Sequence, residues 1–475
     1  MLPLIPFIFG LDLINMNEDT IAAVATGITG AGIGIIRVSG THAVSVCQPL
    51  FKGAVSLDKA ESHKVYYGHI VKNGLDGDLT LDEVLITVFL SPRSYTKEDV
   101  VEISCHGGSF VISRILSLIL EDKRVRLADP GEFTKRAFLN GRIDLSQAES
   151  VMNIISSDNE NMLRQSMRQL QGDLSNKIHV LREDMLHEMA YVEAALDDPE
   201  HYDLTGYSDN LLIKINDWNK QIKALINSAR EGRIMRDGIK AVIVGRPNVG
   251  KSSLLNALAK TDRAIVTDIP GTTRDIIEEK VYLSDIVLAL TDTAGIRQTQ
   301  DVIEQIGVNK SIDNMEEADI ILWLMDASDP FSREDLAIEE HIVPEKTIVV
   351  LNKSDLININ KDVDKLYSDR YPIVNISAKY GTGFNDLAEI IKMLIFEQNV
   401  DNSVDIFILN ERHARLLADC SVSLSLVDKS ITDGMPEDLF LTDLMDAYQS
   451  LGFILGEELE DDLVDKIFSE FCMGK

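Results

Sequence analysis

Residues 245–252 read Gly-Arg-Pro-Asn-Val-Gly-Lys-Ser and directly follow the apolar run 241–244. The eight residues fit the pattern G-x-x-x-x-G-K-[ST], and residues 253–258 then open a helix. A strand, a tight turn and a helix N-terminus aim backbone N–H groups at one point, where a chain of phosphates is bound. Lys251 then reaches the β- and γ-phosphates, and the Ser252 hydroxyl binds Mg²⁺. The stretch predicts a doubly wound α/β domain that binds a nucleotide.

Three further segments follow the first in the order typical of guanine-nucleotide-binding domains, and each comes directly after an apolar run of strand length. In the earliest of them a carboxylate suits the outer shell of Mg²⁺, and a glycine lets the backbone approach the γ-phosphate. The last is placed to support the base from the other side. The three segments are Asp292-Thr293-Ala294-Gly295, Asn352-Lys353-Ser354-Asp355 and Ser377-Ala378-Lys379.

Asp355 distinguishes guanine from adenine. Its carboxylate accepts hydrogen bonds from the N1–H and the exocyclic amine of guanine, a pair of donors that adenine lacks. A site built around such an acceptor rejects the wrong base, because the carboxylate would be left unpaired. Each segment alone could be an ordinary turn after a buried strand, but four in this order predict a GTPase.

The residue that orients the attacking water is not where Ras-like enzymes have it. Those enzymes place a glutamine directly after the Asp-x-x-Gly element, whereas this chain has Ile296. Glu304 is the candidate replacement, although a solvated acid at a helix start is the simpler interpretation of the sequence. Upstream, residues 267–275 have the character of a switch loop, in which a threonine completes the Mg²⁺ shell when the γ-phosphate is present.

The composition is that of a soluble globular protein with about three domains. The chain has 475 residues, of which 45% are apolar and 26% charged, with a formal net charge of −31. That charge argues against a protein that wraps nucleic acid through a general basic surface. Any contact with RNA must therefore come from a local patch or from a partner. The cysteines lack metal-ligand spacing and favour a reduced, cytoplasmic setting; they are Cys47, Cys105, Cys420 and Cys472.

Residues 1–18 are interpreted as an extension that precedes the first domain. The first ten are mostly apolar, but they include two prolines and no basic n-region. Met16 is an alternative start. No stretch of the chain reaches the roughly 18 uninterrupted apolar residues that a membrane span needs. The sequence therefore predicts no membrane segment.

Residues 19–140 predict an α+β domain. Strand-length apolar runs broken by glycine occur here, such as residues 31–38 and 84–89. The spacing Gly30-x-Gly32-x-Gly34 invites a dinucleotide-binding interpretation. That interpretation is weak, because a strand rather than a helix follows these glycines.

Helical patterns lie on both sides of the nucleotide-binding domain, in residues 141–237 and 395–475. Ser146 and Glu149 fit a capping box that starts the first of them. Neither part looks like a complete bundle, so the sequence predicts one helical domain interrupted by a GTPase domain at 238–394. Apolar residues at spacings of three and four predict one long amphipathic helix, with Leu163, Met167, Leu170, Leu174, Ile178, Leu181 and Met185 on one face.

With these motifs the chain resembles the MnmE (TrmE) family of tRNA-modification GTPases from Asp19 to Lys475. The most specific marks lie outside the GTPase domain. They are residues 19–23 (Asp-Thr-Ile-Ala-Ala), 34–40 (Gly-Ile-Ile-Arg-Val-Ser-Gly), 104–108 (Ser-Cys-His-Gly-Gly), 130–141 (Pro-Gly-Glu-Phe-Thr-Lys-Arg-Ala-Phe-Leu-Asn-Gly) and 471–475 (Phe-Cys-Met-Gly-Lys), the last similar to the C-x-G-K ending of the family.

The resemblance implies that the chain modifies C5 of the wobble uridine of certain tRNAs together with the flavoprotein MnmG. The one-carbon unit comes from 5-formyl- or 5,10-methylene-tetrahydrofolate, bound by a constitutively dimeric first domain at 19–140. The folate site implied by position consists of Arg37, Glu102, Arg142 and Lys475, with arginine in place of a frequent lysine at 142. Cations suit the glutamate tail of folate, and a carboxylate suits the pterin amines. A surface salt bridge is the simpler interpretation of Arg37, and for Cys472 a structural role is as plausible as nucleophilic or proton-transfer chemistry.

The resemblance also implies that a K⁺ ion offsets developing charge where the glutamine is missing. Its ligands would be Asn248 and the switch-loop residues Thr267, Ile269 and Thr272, while Ser252 and Thr273 would bind Mg²⁺ and Glu304 would orient water through a bridging water. The implied GTP-binding residues are Asn248, Val249, Gly250, Lys251, Ser252, Ser253, Thr267, Asp268, Ile269, Pro270, Gly271, Thr272, Thr273, Asp292, Thr293, Ala294, Gly295, Asn352, Lys353, Ser354, Asp355, Ser377, Ala378 and Lys379.

Two alternatives share the phosphate loop. A regulatory GTPase of ribosome assembly would need a basic RNA-binding module, which the acidic composition and the tail at 472–475 disfavour. A membrane-coupled transporter GTPase would need spanning helices. The sequence also departs from the family in its first loop, where Gly27-Ile28-Thr29-Gly30-Ala31-Gly32 replaces the frequent Pro-Gly-Arg-Gly-Gly.

Overall fold

A computed structural model describes most of the chain: residues 19–27, 31–72, 74, 77–202, 206–261, 279–284, 286–290, 315, 317–329, 332–356, 367–396, 406–457, 459, 461–469, 471 and 474. It divides into two compact units. The first unit contains residues 1–155, 169–180 and 452–475, and the second contains residues 156–168 and 181–451.

The first unit is built on a seven-stranded sheet with the order β3-β4-β5-β6-β2-β1-β7. Neighbouring strands are antiparallel except β1 and β7, which are parallel. The strands are β1 (Thr20–Val24), β2 (Ile33–Ser39), β3 (Phe51–Gly53), β4 (Lys64–Lys72), β5 (Leu79–Phe89), β6 (Val100–His106) and β7 (Val125–Leu127).

One face of this sheet forms the core of the first unit. Along β6 the odd-numbered Val101, Ile103 and Cys105 are buried, and the helices α1 (Ala43–Cys47) and α2 (Ser109–Ile119) contribute apolar residues to the same cluster. The alternate residues of β6 therefore point to the opposite, more open face, since successive side chains of a strand alternate. That open face carries Glu102.

Two further helices and the C-terminal segment also belong to the first unit. They are α3 (Glu132–Leu139), α4 (Leu145–Ile155) and, near the end of the chain, α13 (Asp461–Ser469). Phe468 and Phe471 pack with Leu145 and Ala148 in one apolar cluster.

The start of α4 corrects the predicted capping box. The Asp144 carboxylate accepts a hydrogen bond from the Gln147 N–H at 2.9 Å, and the Gln147 side chain accepts one from the Asp144 N–H at 2.9 Å. The box is therefore Asp144 with Gln147, and the predicted pair Ser146 and Glu149 is buried inside the helix. The sequence prediction was wrong because Asp is as good an N-cap as Ser.

The predicted single long helix is also wrong, because it is divided into α5 (Glu160–Leu170) and α6 (Asp173–Asp197). Gly172 lies between them with a φ of 96°, in the left-handed region that ends helices. The apolar stripe is buried from Leu174 to Met185 but not along α5. There, Leu163 and Met167 are exposed, and Met162, Gln165, Ser166 and Gln169 are buried instead.

In the second unit the helical segments before and after the nucleotide-binding region pack on each other. They are α7 (Tyr207–Asp237) and α11 (Glu411–Thr432). The next helix, α12 (Glu437–Leu455), belongs to the second unit up to Leu451. A Cβ added at Gly232 of α7 would lie 2.0 Å from the Ile408 carbonyl oxygen, so the chain before α11 runs directly against α7. The Ser421 hydroxyl of α11 donates to the Asn219 side chain of α7 at 2.7 Å.

The part of the chain between α7 and α11 forms a six-stranded sheet with the order β13-β12-β11-β8-β10-β9. All neighbouring strands are parallel except β9, which is antiparallel to β10. The elements are β8 (Ile239–Val244), α8 (Lys251–Thr261), β9 (Glu279–Leu283), β10 (Ile286–Leu290), β11 (Ile320–Asp326), α9 (Arg333–Glu339), β12 (Thr347–Asn352), β13 (Ile373–Asn375) and α10 (Phe384–Phe396).

Apolar clusters cover both faces of this sheet. One includes Leu254 of α8 and Leu387 of α10, and the other is centred on Trp323 of β11, which is fully buried. Strands buried on both faces explain the continuous apolar runs in the sequence. Among the described helices, none combines the length and the hydropathy needed to cross a membrane.

Candidate active sites

The loop between β8 and α8 is held in a shape that requires glycine. Gly250 has a φ of 103°, and a Cβ added there would lie 2.3 Å from the side-chain nitrogen of Asn352. At Gly245 an added Cβ would lie 2.3 Å from the Leu324 carbonyl oxygen. Because α8 begins at Lys251, its free N–H groups face the inside of this loop. The loop therefore has the geometry of an anion cradle.

The ammonium group of Lys251 lies within this loop. It donates hydrogen bonds to the Gly245 carbonyl oxygen and, at 3.1 Å, to that of Arg246. Burial lowers the pKa of Lys251, because the charged form is poorly solvated there. A bound phosphate would stabilise that charge and oppose the shift. The chemistry of the loop thus fits a polyphosphate.

Asn352, at the end of β12, joins the three loops at this edge of the sheet. Its side-chain nitrogen donates to the Val249 carbonyl oxygen at 2.9 Å, and its side-chain oxygen accepts from the Ala378 N–H at 3.0 Å. The side chain is buried and both of its polar atoms are satisfied. Asn352 therefore fixes the spacing between the phosphate loop and the segments at 352–355 and 377–379, which together we call the nucleotide edge.

Asp355, the predicted base-binding residue, is exposed at this edge. Its carboxylate accepts a hydrogen bond from the Ser377 hydroxyl at 2.6 Å, which orients it. Lys353 has a φ of 63°, and its ammonium group donates to the Asn248 carbonyl oxygen at 3.1 Å. This hydrogen bond ties the segment at 352–355 to the phosphate loop. The geometry at Asp355 leaves the carboxylate open for the paired donors of guanine.

Asp326, at the end of β11, is a member of this edge that sequence reasoning missed. Its carboxylate accepts hydrogen bonds from the Lys353 ammonium at 2.5 Å and the Ser328 hydroxyl at 2.6 Å. Burial alone would raise the pKa of Asp326, but these hydrogen bonds outweigh it and hold the pKa below its usual range. Asp326 directly follows an apolar run of strand length in the sequence. Because the carboxyl ends of parallel strands meet at one edge of the sheet, this position could have indicated that Asp326 belongs to the site.

The nucleotide edge brings together a defined part of the predicted GTP site. The predicted residues that it includes are Asn248, Val249, Gly250, Lys251, Ser252, Ser253, Asn352, Lys353, Ser354, Asp355, Ser377, Ala378 and Lys379. The other predicted residues lie outside the part that the structure describes: Thr267, Asp268, Ile269, Pro270, Gly271, Thr272, Thr273, Asp292, Thr293, Ala294, Gly295 and Glu304.

Three of the four predicted folate-site residues lie close to one another in the first unit; we call Arg37, Glu102 and Arg142 the N-terminal ion cluster. Arg37 and Glu102 are directly opposite on β2 and β6, and the guanidinium donates to the carboxylate at 2.8 Å. The guanidinium of Arg142 lies 4.7 Å from the ring centre of Tyr95, and that of Arg37 lies 5.6 Å from the same ring. The two cations therefore share one aromatic neighbour, which the sequence did not indicate.

The C-terminal segment reaches this cluster. Arg37 donates to the Gly474 carbonyl oxygen at 3.4 Å. Gly474 has a φ of 83°, and a Cβ added there would lie 2.2 Å from the Val24 carbonyl oxygen of β1. The chain at this point is thus pressed against β1 in a conformation that requires glycine. Lys475 and Cys472, on either side of this region, lie outside the described residues.

The other three cysteines do not have the properties of nucleophiles. Cys47, Cys105 and Cys420 are buried. Burial raises the pKa of Cys47 and Cys420 to about 12, and burial with the nearby Asp82 raises that of Cys105 to about 11. Within the described ranges no group of three or more His, Cys, Asp or Glu side chains could hold a metal ion.

Two family models match the chain. The model of the GTP-binding protein TrmE N-terminus matches residues 20–142, and the model of the MnmE helical domain matches residues 145–472. A tRNA modification GTPase MnmE from Lachnoclostridium phytofermentans is 48% identical over 97% of this chain and 100% of its own length. Those from Levilactobacillus brevis and Bacillus subtilis are 44% and 41% identical, each over 96% of this chain, and over 98% and 100% of their own lengths.

The phosphate loop, the parallel sheet and the base-side loops define the class as a P-loop GTPase. With matches along nearly its whole length, the chain belongs to the MnmE family of tRNA modification GTPases. It is accordingly a GTP hydrolase that acts in tRNA modification, and the family resemblance predicted from the sequence is confirmed.

Proposed function

We propose that this chain is a K⁺-stimulated GTPase that works in the cytoplasm with the flavoprotein MnmG. Together they add a carboxymethylaminomethyl group to C5 of the wobble uridine of certain tRNAs, with a tetrahydrofolate one-carbon unit. The observation that supports the GTPase step most strongly is the Asn352 side chain, which joins the phosphate loop to the segment beside Ser377 through two hydrogen bonds. Domain limits at 19–140, 141–237, 238–394 and 395–475 are part of this proposal.

The residues at the nucleotide edge fit GTP with Mg²⁺. The Ser252 hydroxyl lies exposed in the first turn of α8, where P-loop enzymes have the hydroxyl that binds the ion. Thr273 would supply a second hydroxyl. A magnesium ion held there would neutralise charge on the phosphates of GTP, and the loop around Gly250 and Lys251 would position those phosphates.

Asn248 is proposed as the side-chain ligand of K⁺, with backbone oxygens of Thr267, Ile269 and Thr272. It is exposed in the phosphate loop and has a φ of 65°, so its side chain stands at the loop rather than in the core. A fixed cation there stabilises the charge that develops on the phosphates. Glu304 is proposed to orient the attacking water, so Glu304→Ala should slow turnover and leave GTP affinity nearly unchanged.

The K⁺ proposal is tested by GTP turnover in matched K⁺ and Na⁺ buffers. The wild-type chain should be faster in K⁺, and Asn248→Ala should remove most of that difference. Asn256→Ala, which changes an exposed amide on α8 away from the loop, serves as the matched control. Equal wild-type rates in the two salts would contradict the proposal.

The N-terminal ion cluster is proposed to bind the folate. Arg37 and Arg142 provide cations for the glutamate tail, and Glu102 accepts from the pterin amines. The partial exposure of the Arg37 and Glu102 side chains, 17% and 24%, leaves their pair accessible to a ligand. Lys475 would add a third cation.

The open face of the first sheet supports the proposal of a homodimer. Tyr67 of β4 and Leu85 of β5 are paired in register, and both are exposed on this face. Val65 of β4 is exposed as well; it pairs with Thr87 of β5, which in turn pairs with Glu102 of β6. Exposed apolar faces of this kind mark interaction sites. Light scattering on the full chain should give a dimer, and Leu85→Lys should weaken it. Val180→Lys, at a similarly exposed apolar residue of α6, should leave it intact.

The function as a whole is tested by nucleoside analysis of bulk tRNA from a strain that lacks this protein. The wobble uridines should lose their carboxymethylaminomethyl group. Return of the wild-type gene should restore it, and a gene with Arg37→Ala should not. Unchanged wobble uridines in the deletion strain would overturn the proposal.

A further inference from the structure

We propose that Tyr95 is a positioning residue of the folate site, which holds Arg37 and Arg142 in the orientation that receives the glutamate tail; this inference rests on the proposed folate function. The ring of Tyr95 lies 5.6 Å from the guanidinium carbon of Arg37 and 4.7 Å from that of Arg142. Both distances fall within the range of cation–π attraction. One ring thus serves both cations of the N-terminal ion cluster.

The two cations depend on Tyr95 to different degrees. Arg37 is also fixed by the Glu102 carboxylate at 2.8 Å, and it lies 5.5 Å from the ring of Phe133. Among the described residues, the guanidinium of Arg142 is held by Tyr95 alone, through the ring and through the Tyr95 carbonyl oxygen at 3.2 Å. Loss of the ring should therefore free Arg142 more than Arg37.

Tyr95 is itself held in place. Its hydroxyl forms a hydrogen bond of 2.9 Å with the hydroxyl of Thr134, which is fully buried in α3. The ring packs against the small cluster of Ile21, Ala23, Ala128 and Phe133. A ring fixed on the core side can orient flexible arginines on its open side, at a smaller cost in side-chain entropy on binding.

The backbone around Tyr95 is also clamped to the turn that carries Arg142. The Lys97 ammonium donates to the Asn140 and Gly141 carbonyl oxygens at 3.0 and 2.8 Å, and the Asn140 side chain donates to the Thr96 carbonyl oxygen at 2.6 Å. Three hydrogen bonds therefore tie residues 96–97 to residues 140–141. Such a clamp fixes the distance between the ring and Arg142, which is what positioning requires.

The proposal assigns the positioning role to the aromatic ring of Tyr95 and not to its hydroxyl group, and this difference can be tested. Binding of 5-formyltetrahydrofolate and of a pterin without the glutamate tail is measured on the full chain by calorimetry. Tyr95→Leu and the space-filling Tyr95→Met should weaken the tailed ligand by about tenfold, as expected for two cation–π contacts. They should weaken the pterin by less than about twofold. Tyr95→Phe keeps the ring and should restore nearly wild-type binding of both.

The double variant Tyr95→Leu with Arg142→Gln should bind the tailed ligand only slightly worse than Arg142→Gln alone. Tyr95 acts mainly through Arg142, since Arg37 keeps its Glu102 partner when the ring is removed. GTP turnover of all variants reports on the integrity of the second unit. If wild type binds the folate but Tyr95→Leu binds it equally well, or loses both ligands equally, the positioning role is overturned while the folate proposal stands. If wild type binds no folate, both are overturned.

Discussion

The nucleotide edge and the N-terminal ion cluster are built in opposite ways. At the nucleotide edge most of the work is done by the backbone: glycines, a helix N-terminus and loops that directly follow buried strands, with residues 245–252 contiguous in the chain. The ion cluster consists of side chains far apart in the chain, namely Arg37, Tyr95, Glu102 and Arg142, brought together by strand register and by the turn after α3. The first kind of site is therefore written in local sequence, whereas the second exists only once the domain is folded.

The largest effect is expected where a single side chain decides the ligand. Asp355→Asn replaces the carboxylate that is proposed to accept two hydrogen bonds from guanine. Asparagine keeps one acceptor oxygen, but it loses the charge and sets an NH₂ donor against the second donor of guanine. The variant should therefore bind GTP more weakly by about a hundredfold or more. Calorimetric titration of the purified variant with GTP measures this. Ser377→Ala, which removes only the hydroxyl that orients Asp355, is the control and should cost much less. A similar loss in both variants would mean that Asp355 acts by structure alone.

The next effect tests whether the backbone shape of the phosphate loop matters. Gly250→Ala places a Cβ 2.3 Å from the Asn352 side-chain nitrogen and imposes left-handed strain. The strain alone costs about 1–2 kcal/mol of folding stability. The displacement of Asn352 disturbs the phosphate loop and should weaken GTP binding by roughly tenfold.

Gly206→Ala is the matched control for this variant. Gly206 also has a positive φ, 72°, but open space lies around it. It should lose similar stability in urea unfolding and keep its GTP affinity. If Gly250→Ala bound GTP normally, the cradle would not depend on the glycine.

A similar substitution at the C-terminus should affect only the ion cluster. Gly474→Ala places a Cβ 2.2 Å from the Val24 carbonyl oxygen, so residue 474 would leave β1 and its contact with Arg37. Affinity for 5-formyltetrahydrofolate should fall by about tenfold if Lys475 contributes one charge-assisted hydrogen bond. GTP turnover by the same protein should be unchanged.

Gly434→Ala separates strain from docking. Gly434 has a φ of 69° with nothing within 4 Å of an added Cβ. It should therefore leave folate affinity as in wild type. Equal folate affinity in Gly474→Ala and wild type would show that the C-terminal tail plays no part in the site.

The smallest effect concerns His106 at the end of β6. The Asp82 carboxylate, 2.7 Å from its Nδ1, raises the pKa of His106 above the usual value. This contribution to stability is present below the unfolded pKa of about 6.5 and is lost as pH rises through the folded pKa. His106→Gln should therefore lower the urea midpoint slightly at pH 6 and not at pH 9. A difference that is equal at both pH values would point to packing instead.

Much of the second unit could be predicted from the sequence, because its motifs are contiguous in the chain. Its central strands are buried on both faces, so the predominantly apolar runs at 241–244 and 347–351 were clear in the sequence. The sequence prediction failed where two local signals competed. Asp144 and Ser146 are both good caps, but Asp144 forms the cap in the folded chain and Ser146 is buried within α4. The apolar spacing of three and four continues across Gly172, so the sequence predicted an unbroken helix there. The positive φ of Gly172 ends the helix instead.

In the first unit the sequence indicated residues but not their partners. Arg37 and Arg142 were expected at one site through the family resemblance, while Tyr95 had no signal of its own. An aromatic residue in a loop is usually part of a core, and only the fold shows that two cations lie over it. Cation–π geometry depends on distances across the domain that no local pattern encodes.

The central claim is that the purified chain selects and hydrolyses guanosine triphosphate. Its most direct test is to measure kcat/KM for GTP and for ATP in a buffer with K⁺ and Mg²⁺, and to compare the two values. We expect GTP to be preferred by about a hundredfold or more, since adenine lacks the donors that Asp355 requires. Equal use of the two nucleotides, or a preference for ATP, would contradict the account.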